Sequence, residues 1–142
     1  LAAQGRLAEA IAEFREAVRI DESSAKGHRN LGDALASTGA REAAIDHFRR
    51  AVQLEPANGG AHYDLGSVLM EAGMLDEAIA EFQAALKYIP NSAEAHNNLG
   101  IAYGSQGRLS DAIRQFEEAL RIRPGFEDAQ RNLRVALRVR KP

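Results

Sequence analysis

The chain has 142 residues, a formal net charge of −2 and a sequence pI near 6.1. These values fit one domain and argue against a protein whose main task is to neutralise phosphate groups. The chain contains no Cys, which excludes disulfides and thiolate metal sites. No segment approaches the roughly 18 consecutive apolar residues of a membrane span, no signal peptide is visible, and the sequence does not identify the compartment.

A 34-residue period runs through the chain in several registers that stay in phase. The recurring residues are Gly5, Gly39, Gly73 and Gly107; Ala10, Ala44, Ala78 and Ala112; Ile11, Ile45, Ile79 and Ile113; and Phe14, Phe48, Phe82 and Phe116. A second set places Leu31, Leu65, Leu99 and Leu133 in the same period. Internal repeats of this length indicate small helical or stranded units that stack on one another.

In chain order, the repeat predicts a half unit at 1–24, whole units at 25–58, 59–92 and 93–126, and a final half unit at 127–142. The first half unit supplies a second helix only, and the last forms a C-terminal capping helix. Because the chain opens at Leu1 in the middle of a unit, we expect it to be a segment of a longer protein.

Each whole unit is predicted to form two helices. Its apolar residues recur three and four apart, as at Ala44, Ile45 and Phe48, which is the period of a helix with one buried face. Glycine ends the first helix because it adopts a positive φ readily, and proline separates the units because it cannot continue a helix. The predicted helices span 7–20, 26–38, 42–54, 60–72, 76–88, 94–106, 110–122 and 128–140.

Side chains that can cap the following helix stand at the unit boundaries, at Ser24, Asn58 and Ser92. Within the first helices, a repeated glycine costs about 1 kcal/mol relative to Ala, so we expect another backbone to approach there too closely for a Cβ. The expected neighbour is the helix face that carries Ala44, Ala78 or Ala112. No unit can bury its apolar face alone, so stability comes from stacking.

These residues resemble the tetratricopeptide repeat family over the whole chain. The unit that matches the family signature best contains Leu99-Gly100, Tyr103, Gly107, Ala112, Phe116, Ala119 and Pro124. The resemblance implies an all-α solenoid of about eight helices, in which antiparallel helix pairs form a right-handed superhelix and the first helices line a concave groove. It also implies a binding scaffold with no catalytic activity and no cofactor.

The chain shows three departures from the family pattern. Glu22 stands where later units have Pro, so the backbone of the turn between the first two units is less restricted. Gly125-Phe126 replaces the capping Asn or Ser. Arg134 stands where the other units have Gly, so we expect it to block normal docking of a further second helix.

The family resemblance places the binding groove on the first helices, away from their Leu and Gly contacts. The predicted peptide-binding residues are Arg29, Asn30, Asp33, Tyr63, Asp64, Ser67, Met70, Asn97, Asn98, Ile101, Arg131 and Asn132. Among them, Asn30, Asp64, Asn98 and Asn132 form a 34-spaced ladder. An amide both donates and accepts hydrogen bonds, which suits the backbone of an extended peptide. The alternative is that Asn before Leu-Gly is ordinary for the family and binds no ligand.

Some members of the family bind a terminal carboxylate with a set of Lys, Asn and Arg that this chain lacks. Asp33 stands where a neutral Asn is needed and would repel a carboxylate. Tyr63, Met70 and Ile101 instead indicate a modest apolar strip flanked by acids, which suits a partner segment with a few apolar anchors. The alternative is that these three are scattered surface residues.

His28, His62 and His96 also repeat every 34 residues, which raises the question of a metal site. Equivalent residues on packed helices lie roughly 8–10 Å apart or more, whereas metal ligands lie about 2 Å from one ion. We therefore expect these histidines to pack at the unit junctions, and we predict no metal site. No nucleophile, phosphate loop or acid pair is apparent, so no enzyme activity is expected.

The sequence therefore favours a protein-interaction scaffold that binds a peptide or partner segment in its groove. The alternative is self-assembly, in which the terminal half units complete one another head to tail, although Arg134 counts against a faithful fit. Nucleic-acid binding is not expected, because residues 1–126 carry a net charge of −5, although residues 127–142 carry +3. No membrane insertion by this segment is expected.

Overall fold

The computed structural model describes residues 2–140, and the side chains of residues 3–140. Leu1, Lys141 and Pro142, which the predicted end units include, lie outside the described residues. Within 2–140 the chain forms eight α-helices and no strand. They are α1 (Ala2–Ile20), α2 (Ala25–Ser37), α3 (Arg41–Leu54), α4 (Gly59–Glu71), α5 (Leu75–Tyr88), α6 (Ala93–Ser105), α7 (Leu109–Ile122) and α8 (Glu127–Arg140).

Seven of these helices begin one residue before the predicted start, but α1 begins at least five residues earlier than predicted. Gly39, Gly73 and Gly107 have φ values of 81°, 76° and 74° and end the first helices as expected. Gly5, which shares their 34-residue spacing, lies within α1. The described residues before it continue the same helix, so no chain reversal requires a positive φ at that position.

The predicted capping side chains act at the starts of α2, α4 and α6. Ser24, Asn58 and Ser92 accept hydrogen bonds from the backbone N–H groups three residues later, at 3.0, 3.0 and 3.1 Å. Phe126 occupies the equivalent place before α8 and has no oxygen to offer. Its ring lies 4.7 Å from the guanidinium carbon of Arg123 and packs against a small cluster of buried alanines.

The helices pack as antiparallel pairs, α2 with α3, α4 with α5 and α6 with α7, and the pairs stack into a right-handed α-solenoid. The first helices α2, α4, α6 and α8 approach their neighbours in this series directly. Within residues 2–140, the second helices α1, α3, α5 and α7 make no such close approach to one another. The first helices therefore line the inner, concave face. None of the helices described in this range combines the length and apolarity that a membrane crossing requires.

Phenylalanine rings occupy the space beside the mid-helix glycines. A Cβ added to Gly32, Gly66 or Gly100 would lie within 2.8, 2.9 and 2.6 Å of the rings of Phe48, Phe82 and Phe116, respectively. The predicted helix face does approach each glycine, because each phenylalanine lies four residues after Ala44, Ala78 or Ala112 on the same face. The prediction that a backbone fills the space was wrong, since a ring fills it. The phenylalanine of the paired second helix packs there and is almost completely buried, with Phe82 0% exposed.

The repeated histidines tie each first helix to the loop before it. The Nε2 atoms of His28, His62 and His96 bond the backbone oxygens of Glu22, Pro56 and Pro90 at 3.1, 2.9 and 3.1 Å. Because a carbonyl only accepts, each Nε2 carries the proton. Gln130 makes the same contact to Pro124 at 2.8 Å. The prediction that these histidines pack at the junctions is confirmed, and in the part of the chain that the structure describes no cluster of three or more potential ligands could hold a metal ion.

Candidate functional site

Polar side chains on the inner face join successive first helices through residues that lie 35 positions apart. Three pairs share this spacing: Arg29 with Asp64, Tyr63 with Asn98, and Asn97 with Asn132. In the first pair Arg29 Nε donates to Asp64 Oδ2. In the other two, the Nδ2 of the later asparagine donates across 3.1 and 3.0 Å. These contacts fix the spacing of α2, α4, α6 and α8.

The 34-spaced ladder is thus committed in part to holding the helices together. Asn98 and Asn132 each donate one side-chain amide hydrogen to an acceptor on the preceding first helix. Asp64 accepts from Arg29. Within residues 3–140 the amide oxygens of Asn98 and Asn132 accept no hydrogen bond, so they stay available to a ligand. Asn97 is buried, with 5% of its surface exposed, and its contact with Asn132 is internal.

The α2 end of the inner face is polar. Asp33 is exposed, and partial burial of its carboxyl, with the nearby charge of Asp64, raises its pKa, while Arg29 opposes the shift. Half-buried Asn30 lines a polar hollow beside Lys26, Arg29 and Asp33. The ionised carboxylate of Asp33 favours a neutral or basic group of a partner directly beside it, although Lys26 lines the same hollow.

The middle of the inner face centres on Tyr63. The centroid of its ring lies 6.0 Å from that of Phe82. Burial is the main cause that raises the pKa of the Tyr63 hydroxyl. The Ser67 hydroxyl donates to the Tyr63 carbonyl at 2.9 Å and so serves its own helix. Met70 is half-buried against the core. Of these three, Tyr63 and Met70 present apolar surface to a ligand.

The α8 end of the inner face carries an apolar recess of about 360 Å³ between α6 and α8, which we name the apolar hollow. Its larger side chains are Ile101, Leu109, Phe116, Val135 and Val139. Val135 and Val139 are 55% and 64% exposed, although they are β-branched and apolar. A water-exposed apolar recess is a common feature of protein-binding surfaces.

Sequence reasoning placed Ile101 in the groove but missed Leu109 and Val139 as lining residues. The signal for Val139 was present, because it stands 34 residues after Ser105, which also lines the hollow. Leu109 belongs to a second helix, and only the packing of α7 against α6 brings it to the hollow. Predicted Arg131 lies exposed near this end and pairs with Asp128 at 3.2 Å.

Two family models match the chain. One, described as tetratricopeptide repeat, matches residues 63–125. The other, described as TPR repeat, matches residues 1–39 and 32–73. No curated protein matches the sequence.

Several solved structures share this architecture. A crystal structure of MamA is 26% identical and superposes with a TM-score of 0.92 over 97% of this chain and 81% of that chain. A MamA fragment from Desulfovibrio magneticus RS-1 is 24% identical, with a TM-score of 0.89 over 97% and 78% of the two chains. YrrB, described as a TPR protein with an unusual peptide-binding site, is 27% identical, with a TM-score of 0.83 over 98% and 72%.

Proposed function

The chain belongs to the tetratricopeptide repeat family, and from this premise we propose that it is a non-catalytic scaffold that binds a segment of a partner protein on its inner face. The family is generally a protein-interaction fold without chemistry of its own. The partner segment places an apolar side chain in the apolar hollow and a basic side chain near Asp33.

The apolar hollow is the observation that carries this proposal. Val135 and Val139 expose more than half of their surface on the same face as Ile101. Covering them with an apolar side chain removes apolar area from water, worth roughly 25 cal/mol per Å². Apart from the apolar surface of Tyr63 and Met70, the rest of the inner face is polar and cross-linked. The hollow therefore supplies the main anchor and the polar residues supply orientation.

The charge preference follows from Asp33. The other inner-face acids Asp64, Glu71 and Glu94 each lie near an arginine. Asp33 has no ion-pair partner within 4.0 Å among residues 3–140 and holds a raised pKa because its charge is partly buried near Asp64. A Lys or Arg on the partner would stabilise the ionised carboxylate.

The solved relatives support peptide binding as the mode of action. YrrB is described as having a peptide-binding site, and its fold covers 98% of this chain. We extend peptide binding to this protein on the combined ground of that likeness and the exposed apolar hollow.

The experiment selects ligands from a library of displayed random peptides with the wild-type protein and measures their affinities by fluorescence anisotropy. We expect V135D and V139D to weaken the selected peptides by about tenfold or more, since a buried charge opposes an apolar anchor. The matched control is I20D, because Ile20 is 73% exposed on α1, away from the inner face. Circular dichroism confirms that all variants fold.

Two results would contradict the proposal. One is that V135D and V139D bind every selected peptide as the wild type does. The other is that I20D weakens binding as much as they do. Either result places the peptide site elsewhere on the molecule.

Self-association through the end helices is a second candidate. Phe14 on α1 is half-buried, whereas Phe48, Phe82 and Phe116 are buried beneath their paired helices. On α8, Leu133 is half-buried where Leu31, Leu65 and Leu99 are buried. Light scattering over a range of concentrations tests this candidate, and a constant monomer mass contradicts it.

A further inference from the structure

A second recess of about 380 Å³ lies between α1 and α3, on the side of the stack away from the inner face. These two second helices do not approach each other closely, and α2 contributes to the recess from behind. Its polar lining consists of Arg15, Arg19, Glu22, His28, His47 and Arg50. We name it the basic notch. The proposed protein-binding function makes no use of it.

The basic notch has more positive than negative charge. It contains three guanidinium groups and one carboxylate. Arg19 is engaged by Glu16 at 2.7 Å. Arg15 and Arg50 have no carboxylate within 4.0 Å in the range 3–140 for which side chains are described. Arg50 Nη1 makes a long contact of 3.4 Å with Gln53 Oε1. Both guanidinium groups line the same recess, Arg15 from α1 and Arg50 from α3, and so can reach one anion placed between them.

The repeat itself provides an internal comparison. The residues 34 and 68 positions after Arg15 are Arg49 and Gln83; those after Arg19 are Gln53 and Lys87; those after Arg50 are Ala84 and Glu118. Arg49 is paired with Glu77 at 2.6 Å. The later junctions thus lose the excess of positive charge, although their backbone is equivalent. The basic cluster is specific to the first junction and is not a consequence of the fold.

Two histidines meet in the wall of the basic notch. The Nδ1 atoms of His28 and His47 are 3.0 Å apart, and their rings stack with centroids 5.3 Å apart. At the later junctions the partner of the histidine is Glu81 or Gln115, at 2.6 and 2.8 Å. Because His28 donates from Nε2 to Glu22, its neutral Nδ1 accepts, and His47 Nδ1 donates to it. Two imidazolium ions cannot share this contact.

The charges around His47 favour its neutral form in the absence of an anion. Burial lowers its pKa most, His28 and Arg15 lower it further, and Asp46 opposes them. Arg50 also faces the same recess, and Glu22 supplies its one carboxylate. A bound dianion would favour protonation of His47, so the pKa of that imidazole would rise on binding.

We propose that the basic notch binds a phosphate monoester group through Arg15 and Arg50, with His47 as the adjoining hydrogen-bond donor. A phosphate monoester carries close to two negative charges at neutral pH and three accepting oxygens. One guanidinium group can donate two parallel hydrogen bonds to two oxygens of the same phosphate. A single carboxylate would neutralise only one of the available arginines. The group can belong to a small molecule or to a phosphorylated side chain of a protein.

The experiment titrates the protein with three probes at low ionic strength, where exposed charges are least screened. The probes are inorganic phosphate, a phosphoserine peptide and the same peptide without phosphate. NMR follows the imidazole signals of His28 and His47, and calorimetry gives the affinities. We expect phosphate to raise the pKa of His47 and the phosphoserine peptide to bind, whereas the unphosphorylated peptide does not.

The variants use residues that the later repeats already carry at these positions. R15Q and R50A are expected to weaken phosphate binding by about tenfold each, the loss of one charge-assisted contact. H47Q removes the imidazole but retains a hydrogen-bonding side chain, as Gln115 does beside His96. It tests the site independently if the arginine variants fold poorly. R49Q is the matched control, because Arg49 is the next-repeat equivalent of Arg15, and it should bind as the wild type does.

The relative affinities distinguish the sources of the phosphate group. Equal binding of inorganic phosphate and phosphopeptide indicates a small-molecule site, and much tighter phosphopeptide binding indicates a phosphorylated protein segment. The proposal is overturned by unchanged binding in the R15Q/R50A double variant, by equal binding of the unphosphorylated peptide, or by no response to millimolar phosphate. V135D should leave this binding intact, which separates it from the inner-face function.

Discussion

The side-chain amide of Asn98 on α6 donates to the hydroxyl of Tyr63 on α4 across 3.1 Å. Both residues lie on the inner face, where a partner segment is proposed to bind. The same side chains therefore hold two neighbouring first helices together and face the ligand. Changes on the inner face should alter stability as well as affinity, and the two effects have to be measured separately.

We expect Tyr63→Phe to lower the free energy of unfolding by about 0.5–1.5 kcal/mol, the net worth of one hydrogen bond. The ring can still pack against Phe82, so the loss reports the hydroxyl alone. Urea unfolding measures it, and a double-mutant cycle with Asn98→Ala isolates the pair. Tyr88→Phe is the control at a 40% exposed tyrosine. If Asn98→Ala costs as much in the Tyr63→Phe background as in the wild type, the two side chains are not coupled.

Gly66→Ala should destabilise the protein by roughly 1–3 kcal/mol, because the new Cβ would lie 2.9 Å from the Phe82 ring. Gly104→Ala is the control within a similar helix. Its Cβ would meet only Ala112 Cβ at 3.8 Å, so the helix gains about 0.5–1 kcal/mol. Thermal or urea unfolding compares the two. Equal effects of the two substitutions would contradict the assignment of the Phe82 ring to this gap.

Asp33 should make stability fall as the pH rises. Its folded pKa is raised above the unfolded value, so its protonated form favours folding, and that stability is lost as the pH rises through the folded pKa. We expect Asp33→Asn to gain stability relative to the wild type between about pH 3 and about pH 7. Urea unfolding gives the difference in free energy of unfolding between variant and wild type at each pH. Comparing this difference at the two pH values removes effects of the substitution that do not depend on pH.

Glu94 provides a control of opposite sign. Its hydrogen bond with Arg123 lowers its pKa, so its contribution is present at neutral pH and is lost as the pH falls through the folded pKa. Glu94→Gln should therefore lose stability relative to the wild type over the same rise in pH. Matching pH responses of the two variants would rule out opposite shifts at Asp33 and Glu94.

His62→Ala should destabilise the junction before α4 by about 1–3 kcal/mol, because the buried imidazole bonds both Pro56 and Glu81. His62→Gln should cost clearly less, since Gln130 makes the equivalent contact to the Pro124 carbonyl at 2.8 Å. Urea unfolding of both variants tests the difference. Equal losses would show that the contact to the loop carbonyl contributes little.

The helix limits could be predicted closely because the signals that set them are local. An apolar period of three and four, a glycine with positive φ and a capping oxygen act within one or two turns of chain. Seven of the eight helices in residues 2–140 start within one residue of the prediction. Gly5 shares the 34-residue spacing of these glycines but lies within α1, so a glycine by itself does not end a helix.

The neighbours of the mid-helix glycines could not be predicted in the same way. The sequence shows that Gly32, Gly66 and Gly100 repeat, and that something approaches them. Ala44 and Phe48 lie four residues apart on one face of α3, so the helical period does not say which of them stands opposite Gly32. The lengthwise position of α3 against α2 decides this, and it places the ring of Phe48 beside Gly32.

The 34-residue period by itself determined the helix pairs, their order and the family, since these follow from residue spacing along the chain. Tertiary structure alone decided which polar residues meet. Equivalent positions differ by 34, yet the contacts on the inner face join residues 35 apart, such as Arg29 with Asp64. The extra residue arises because stacked helices are rotated and shifted relative to one another, and one residue turns a helix by about 100°. Packing of the helices also buries Asn97 and leaves Val135 exposed, and so determines which side chains a partner can reach.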